Sequence, residues 1–229
     1  MTIRNWMRFF INSLLIGGVI TGLVSLFIRW DDFYRTYYEA GEWGELGAAF
    51  LWFVVLGFTM SVVAQTGYFA YLTVHQIGVN LFRSLTLWNW VQLLLIVITI
   101  VDLILFRFKP HASTLGDWGF YLGLLAILLI AAVITAFLKV KLTGKKHVFI
   151  SALFFMIVVS TLEWLIGLWI QSSEGGDAYI ALLLFPIIAV NMYQLLILPK
   201  YNAKSEADLK KRADRRKLRK EEEVQLQSK

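Results

Sequence analysis

"LAILLIAAVITAFL" (residues 125–138) contains no charged side chain and a single hydroxyl, and its apolar residues do not alternate with polar ones. A barrel strand crossing a membrane alternates over about ten positions. In hydrocarbon only a helix or a closed barrel satisfies its own backbone, so this stretch reads as a helix. It lies in a longer apolar run, 118–138, and five more such runs occur at 6–28, 46–74, 87–106, 148–170 and 178–198. Each reaches the roughly 20 residues a helix needs to cross a bilayer core. The expected fold is an all-α, polytopic membrane protein with six transmembrane helices in a bundle.

Composition agrees. Of 229 residues 58% are hydrophobic and 17% charged, with three Pro, nine Trp, nine Tyr and seventeen Phe. Soluble domains carry about 25% charged residues. There is no cysteine, which excludes disulfides, thiolate metal sites and cysteine nucleophiles. The first run follows Arg4 and Arg8 but is too long for a signal peptide, and "SLFIRWDDF" (25–33) offers no small-residue cleavage site. It reads as an uncleaved first helix. Residues 1–199 form the transmembrane domain and 200–229 a cytoplasmic tail. The net charge of +6 sits mostly in that tail, which holds eleven Lys/Arg and six Asp/Glu.

Lys and Arg gather on the cytoplasmic side of membrane proteins. With the N-terminus inside, the inner segments carry eighteen basic residues: Arg4, Arg8, Arg83, Lys139, Lys141, Lys145, Lys146 and the eleven of the tail. The outer segments carry four: Arg29, Arg35, Arg107 and Lys109. Both termini are therefore expected in the cytoplasm, with the chain multi-pass in the cell membrane. The large outer loop 29–45 mixes acids with Trp30, Phe33, Tyr34, Tyr37, Tyr38 and Trp43. It reads as an aromatic belt at the interface, or as a contact surface for an outside partner. Residues 171–177, "QSSEGGD", read as a tight turn between antiparallel helices. Gly18 with Gly22 and Gly119 with Gly123 have the spacing that lets helix backbones approach, within the bundle or in a dimer. Pro186 is expected to kink the last helix.

Two carboxylates fall inside the spans. Asp102 lies about four residues, roughly 6 Å, from the outer end of the third helix, and Glu163 about seven residues, roughly 10 Å, from that of the fifth. Ionisable groups at this depth are costly and mark candidate sites. One reading makes Asp102 and Glu163 a proton- or cation-linked site. The other has Asp102 reaching outer water near Arg107, and Glu163 protonated or hydrogen-bonded within the bundle. A second, neutral set lies toward the inner side: Asn12, Gln65, Gln92, Asn191 and Gln194. Such amides serve as interhelical glue, or as the lining of a pocket.

Catalytic material is sparse. His75, His111 and His147 are isolated, and the chain has no H-E-x-x-H, G-x-S-x-G or phosphate-binding glycine loop. No metal or cofactor is implied. The tail (204–229) reads as a helix, with Ser205 and Asp208 at capping-box spacing. Residues 210–220 hold eight basic side chains and one acid. This is a topology anchor near anionic lipids, with nucleic-acid binding the weaker alternative.

Taken together, "IRNWMRFFINSLLIGGVITGLVSLFIRWDDF" (3–33), the six spans and the basic tail resemble the KbaA family, the KinB-signalling pathway activation proteins of spore-forming Gram-positive bacteria. The resemblance extends to about residue 200. It implies a membrane protein that promotes activity of a sensor histidine kinase at the head of the sporulation phosphorelay, with no catalytic motif to carry over. On that basis the chain is expected to be a non-enzymatic regulator. The alternative is a small transporter or ligand-binding sensor using Asp102 and Glu163, with a membrane enzyme third.

Overall fold

The structure, a computed structural model, describes residues 1–170 and 176–227; the turn expected at 171–177 falls largely outside them. The described residues contain no strand. Eight helices succeed one another: α1 (Ile3–Ile28), α2 (Arg35–Ala40), α3 (Trp43–Phe82), α4 (Leu85–Asp102), α5 (Leu115–Thr143), α6 (Val148–Phe154), α7 (Ser160–Ile170) and α8 (Gly176–Gln227). Three π-helical segments intervene: Trp30–Tyr34 before α2, Leu103–Phe108 continuing α4, and Phe155–Val159 joining α6 to α7. Six of the resulting rods are long and apolar enough to cross a membrane. The helices outrun the apolar runs at several ends. α3 reaches Phe82 and α8 Gln227, because hydropathy marks where lipid ends and not where backbone hydrogen bonding does.

Local chemistry sets the breaks. Arg83 adopts the left-handed conformation (φ 51°), and Ser84 Oγ accepts from Leu87 N at 3.3 Å. Two residues thus end α3 and start α4. At Thr114 a full capping box forms: the hydroxyl accepts from Asp117 N, and the Asp117 carboxylate accepts from Thr114 N at 2.8 Å. Gly144 (φ 68°) closes α5 in the left-handed conformation that glycine tolerates without strain.

The chain divides into two compact units, one of Ser13–Leu196 and one of Met1–Asn12 with Ile197–Lys229. In the larger unit α1 and α3 meet backbone to backbone. A Cβ on Gly18 would enter the Phe58 ring, one on Gly22 would lie 2.9 Å from Phe50 and Val54, and one on Gly57 would lie 2.8 Å from Gly18 Cα. By contrast, a Cβ on Gly119 or Gly123 would meet nothing within 4 Å, so the second glycine pair makes no close helix contact here. The 29–45 segment is not all belt. Tyr34 is fully buried against Phe53 and Leu182, while Tyr38 and Trp43 are exposed. Ser25 Oγ donates to Gly22 O, so the Tyr34 hydroxyl donates to Ser25 at 2.7 Å.

In the smaller unit the start of α1 runs antiparallel to the later part of α8. Asn12 Nδ2 donates to Tyr201 Oη at 3.0 Å, Asn5 Nδ2 to Ser205 Oγ at 3.0 Å, and Arg4 pairs with Asp208 at 2.9 Å. Phe9 meets Tyr201 edge to face. Asn5 and Ser205 are buried, whereas Leu209 to Lys217 and Arg219 are exposed.

Candidate functional site

Glu163 sits on α7, one turn beyond the π-helical segment, with 2% of its surface exposed. Asn191 of α8 donates through Nδ2 to Glu163 Oε2 and to Ser160 Oγ, the latter at 2.8 Å. Ser160 and Glu163 are three apart, so one turn of α7 presents both to the same amide. Glu163 Oε1 has no hydrogen-bond partner among the described residues and is closed off by Gly67 of α3, where an added Cβ would strike it. Glycine at 67 thus lets the α3 backbone approach the carboxyl. Trp164, next in sequence and 1% exposed, donates its indole N–H to Ile180 O at 2.9 Å, fixing α7 against α8.

A cleft of about 520 Å³ opens between α3 and the fifth crossing, with Gly67 and Glu163 in its wall beside Val62, Ala70, Val158 and Ile166. Its lining is almost wholly apolar. Its chemistry is that of a site for an apolar group, with one carboxyl set into the wall.

The other intramembrane acid has a different partner. Asp102 Oδ2 lies 3.8 Å from Arg107 Nε, and its side chain is 44% exposed. The π-helical turn after Asp102 brings residues five apart onto one face, which is why Arg107 reaches it. The structure therefore gives Asp102 a cation of its own helix and Glu163 an amide of α8.

The five amides separate likewise. Asn191 serves Glu163, and Asn12 serves Tyr201. Gln92 Oε1 accepts from Ser151 Oγ at 3.1 Å, in a layer where Trp88 Nε1 donates to His75 Nδ1 at 3.0 Å and Tyr71 donates to Ser151 O at 3.2 Å. Gln65 (2% exposed) and Gln194 (0%) carry buried amides without a hydrogen-bond partner among the described residues. Buried groups in that state are costly and recur at functional positions. Gly67, Ser160 and the His75–Trp88 pair were not singled out from sequence. The i, i+3 spacing of Ser160 to Glu163 was the one readable signal. Among the described residues no three His, Asp or Glu side chains gather as metal ligands would.

Comparison with known proteins adds three findings. The family described as "KbaA: KinB-signalling pathway activation in sporulation" matches residues 17–201. A protein named "KinB-signaling pathway activation protein", from Bacillus subtilis (strain 168), is 37% identical over 201 residues, which is 88% of this chain and 98% of that protein. No solved structure matches the chain.

Proposed function

We propose a function from one premise: this chain belongs to the KbaA family, that of KinB-signalling pathway activation in sporulation. The reading is of a non-enzymatic regulator in the cell membrane, both termini cytoplasmic, that promotes activation of a sensor histidine kinase feeding the sporulation phosphorelay. The observation that carries it is the extent of the match, which runs from within α1 to Tyr201 and so takes in every membrane-crossing rod. The buried Glu163–Asn191–Ser160 cluster supports the reading as a structural lock. It ties the fifth crossing to α8, so that the bundle presents one fixed surface to a partner.

The test is co-purification from native membranes. A regulator of this kind retains the sensor kinase, and loss of the gene lowers sporulation output. A full-length chain that retains no kinase from membranes containing it would sink the reading.

A second reading is favoured by the cleft beside Glu163. An apolar ligand with one hydrogen-bonding group would fit there, making the chain a ligand sensor. In that case Glu163→Gln abolishes output at normal membrane abundance.

A further inference from the structure

The layer around Gln92 holds a titratable group that the Glu163 cluster does not use. Trp88 donates its indole N–H to His75 Nδ1 at 3.0 Å, and Gln92 Nε2 stands 3.5 Å from the same nitrogen. A ring nitrogen that accepts a hydrogen bond carries no proton, so His75 is neutral here, with its proton on Nε2. His75 is partly exposed, whereas Trp88 and Gln92 are buried. Protons from solvent therefore reach the imidazole, and their arrival is felt by groups that water does not touch. Trp88 has little room to move aside. Its ring lies on the α3 backbone, where a Cβ on Gly78 would come within 2.6 Å of it, and Phe82 stacks on it at 5.7 Å.

Protonation turns both ring nitrogens into donors. Nδ1–H then faces the indole N–H, donor against donor, and Trp88 loses its acceptor. The layer also holds a replacement bond. Gln92 Oε1 accepts from Ser151 Oγ at 3.1 Å, and a hydroxyl can accept as well as donate. Turning the Gln92 amide over exchanges its oxygen and its nitrogen. Oε1 then accepts from His75 Nδ1–H, and Nε2 donates to Ser151 Oγ. The two arrangements use the same atoms and differ by one proton and one turn of an amide, which makes the layer a two-state element.

Few charges face His75. α4 brings no titratable side chain before Asp102, ten residues past Gln92, and α6 and the π-helical segment after it bring none. His147, one residue before α6, is near enough for its charge to act on His75. On α3, Tyr71 lies against the imidazole with ring centres 5.7 Å apart, and Arg83 follows the end of the helix about two turns on. No carboxylate stands among these groups, so the turned amide is what receives an imidazolium.

We infer that His75, Trp88 and Gln92 form a proton-responsive joint between α3 and α4: the neutral imidazole holds Trp88, and the imidazolium releases Trp88 and takes Gln92. Trp88 lies in the first turn of α4, beside the break at Arg83 and Ser84, so its release loosens the joint as pH falls. This goes beyond the function proposed above and does not depend on the partner named there.

The full-length chain, isotope-labelled at tryptophan nitrogen and held in detergent, is followed by NMR from about pH 8 to about pH 5, the range in which histidine changes charge. The Trp88 indole signal is the one missing from Trp88→Phe. It is expected to shift as pH falls and to return when pH is restored. His75→Asn places an amide oxygen near the position of Nδ1, accepts the indole N–H and does not titrate, so there the signal should hold still. His147→Asn should leave the shift in place. A Trp88 signal that does not move in the unaltered chain overturns the inference, and so does a shift of equal size in His75→Asn. A shift abolished by His147→Asn assigns the titration to that residue and overturns the role of His75. Should His75→Asn fail to fold, the ring nitrogens of the unaltered chain decide: at about pH 8 the proton is expected on Nε2 of His75, and a proton on Nδ1 overturns the inference.

Discussion

Glu163 is held by one amide donor on one oxygen and by a glycine backbone against the other. Gln at this position keeps the shape and an acceptor for Asn191. If the cluster is a lock, Glu163→Gln should leave folding and sporulation output per unit of membrane protein unchanged. Glu163→Leu leaves the Asn191 amide with Ser160 alone, and should cost about 1–3 kcal/mol, the scale of a buried group losing its partner. Unfolding of the purified protein in detergent measures it. Gly67→Ala forces a methyl into Glu163 Oε1 and should destabilise by about 1–3 kcal/mol, as overpacking does. Combined with Glu163→Ala the collision is gone, so the double variant should be more stable than the sum of the singles by about 0.5–3 kcal/mol. Strict additivity would show that the two residues do not meet. Both acids were visible in the sequence as charges in apolar runs. Arg107 was legible as the neighbour of Asp102, but Asn191 was not as the partner of Glu163, because the π-helical turn before α7 carries one extra residue and rotates the rest of that helix by about 100°. Gly67 offered no signal, since a glycine in a span means little until its neighbour is known.

Caps decide where the elements stop, and they act where hydropathy is blind. The reach of α3 to Phe82 is set by the Arg83–Ser84 break, and the start of α5 by the Thr114–Asp117 box. Thr114→Ala should cost about 1 kcal/mol, within the range for lost N-caps. The loss should appear as faster hydrogen exchange at the first turn of α5, and an unchanged exchange rate there would refute the role of the box. The apolar cores of these helices were legible from runs such as "LAILLIAAVITAFL". Their ends were not, and neither was the difference between the glycine pairs: Gly18 and Gly22 meet aromatic rings of α3, while Gly119 and Gly123 have the same spacing and face open space. Spacing alone carries no information on what lies opposite.

At the scale of the molecule, the proposal that both termini are cytoplasmic rests on six apolar rods and on the asymmetry of Lys and Arg between the segments that join them. Reporter fusions near residues 40 and 112 should read as external, and fusions near 80, 143 and 215 as cytoplasmic. An external signal at 143 or 215 would reverse the topology and remove the tail from any cytoplasmic partner.

The antiparallel ladder between the two chain segments of the smaller unit also has a meaning in time. Asn5 finds Ser205 only after 200 further residues have been made. At 5–20 residues per second, that is a wait of about 10–40 s during which the amino-terminal segment lacks its mate. The ladder is therefore complete only once residue 208 has been made. Products stopped before Tyr201 carry an amino terminus without these partners. Truncation after Lys200 should leave residues 1–12 cleavable by added trypsin at Arg4 and Arg8, whereas the whole protein resists there.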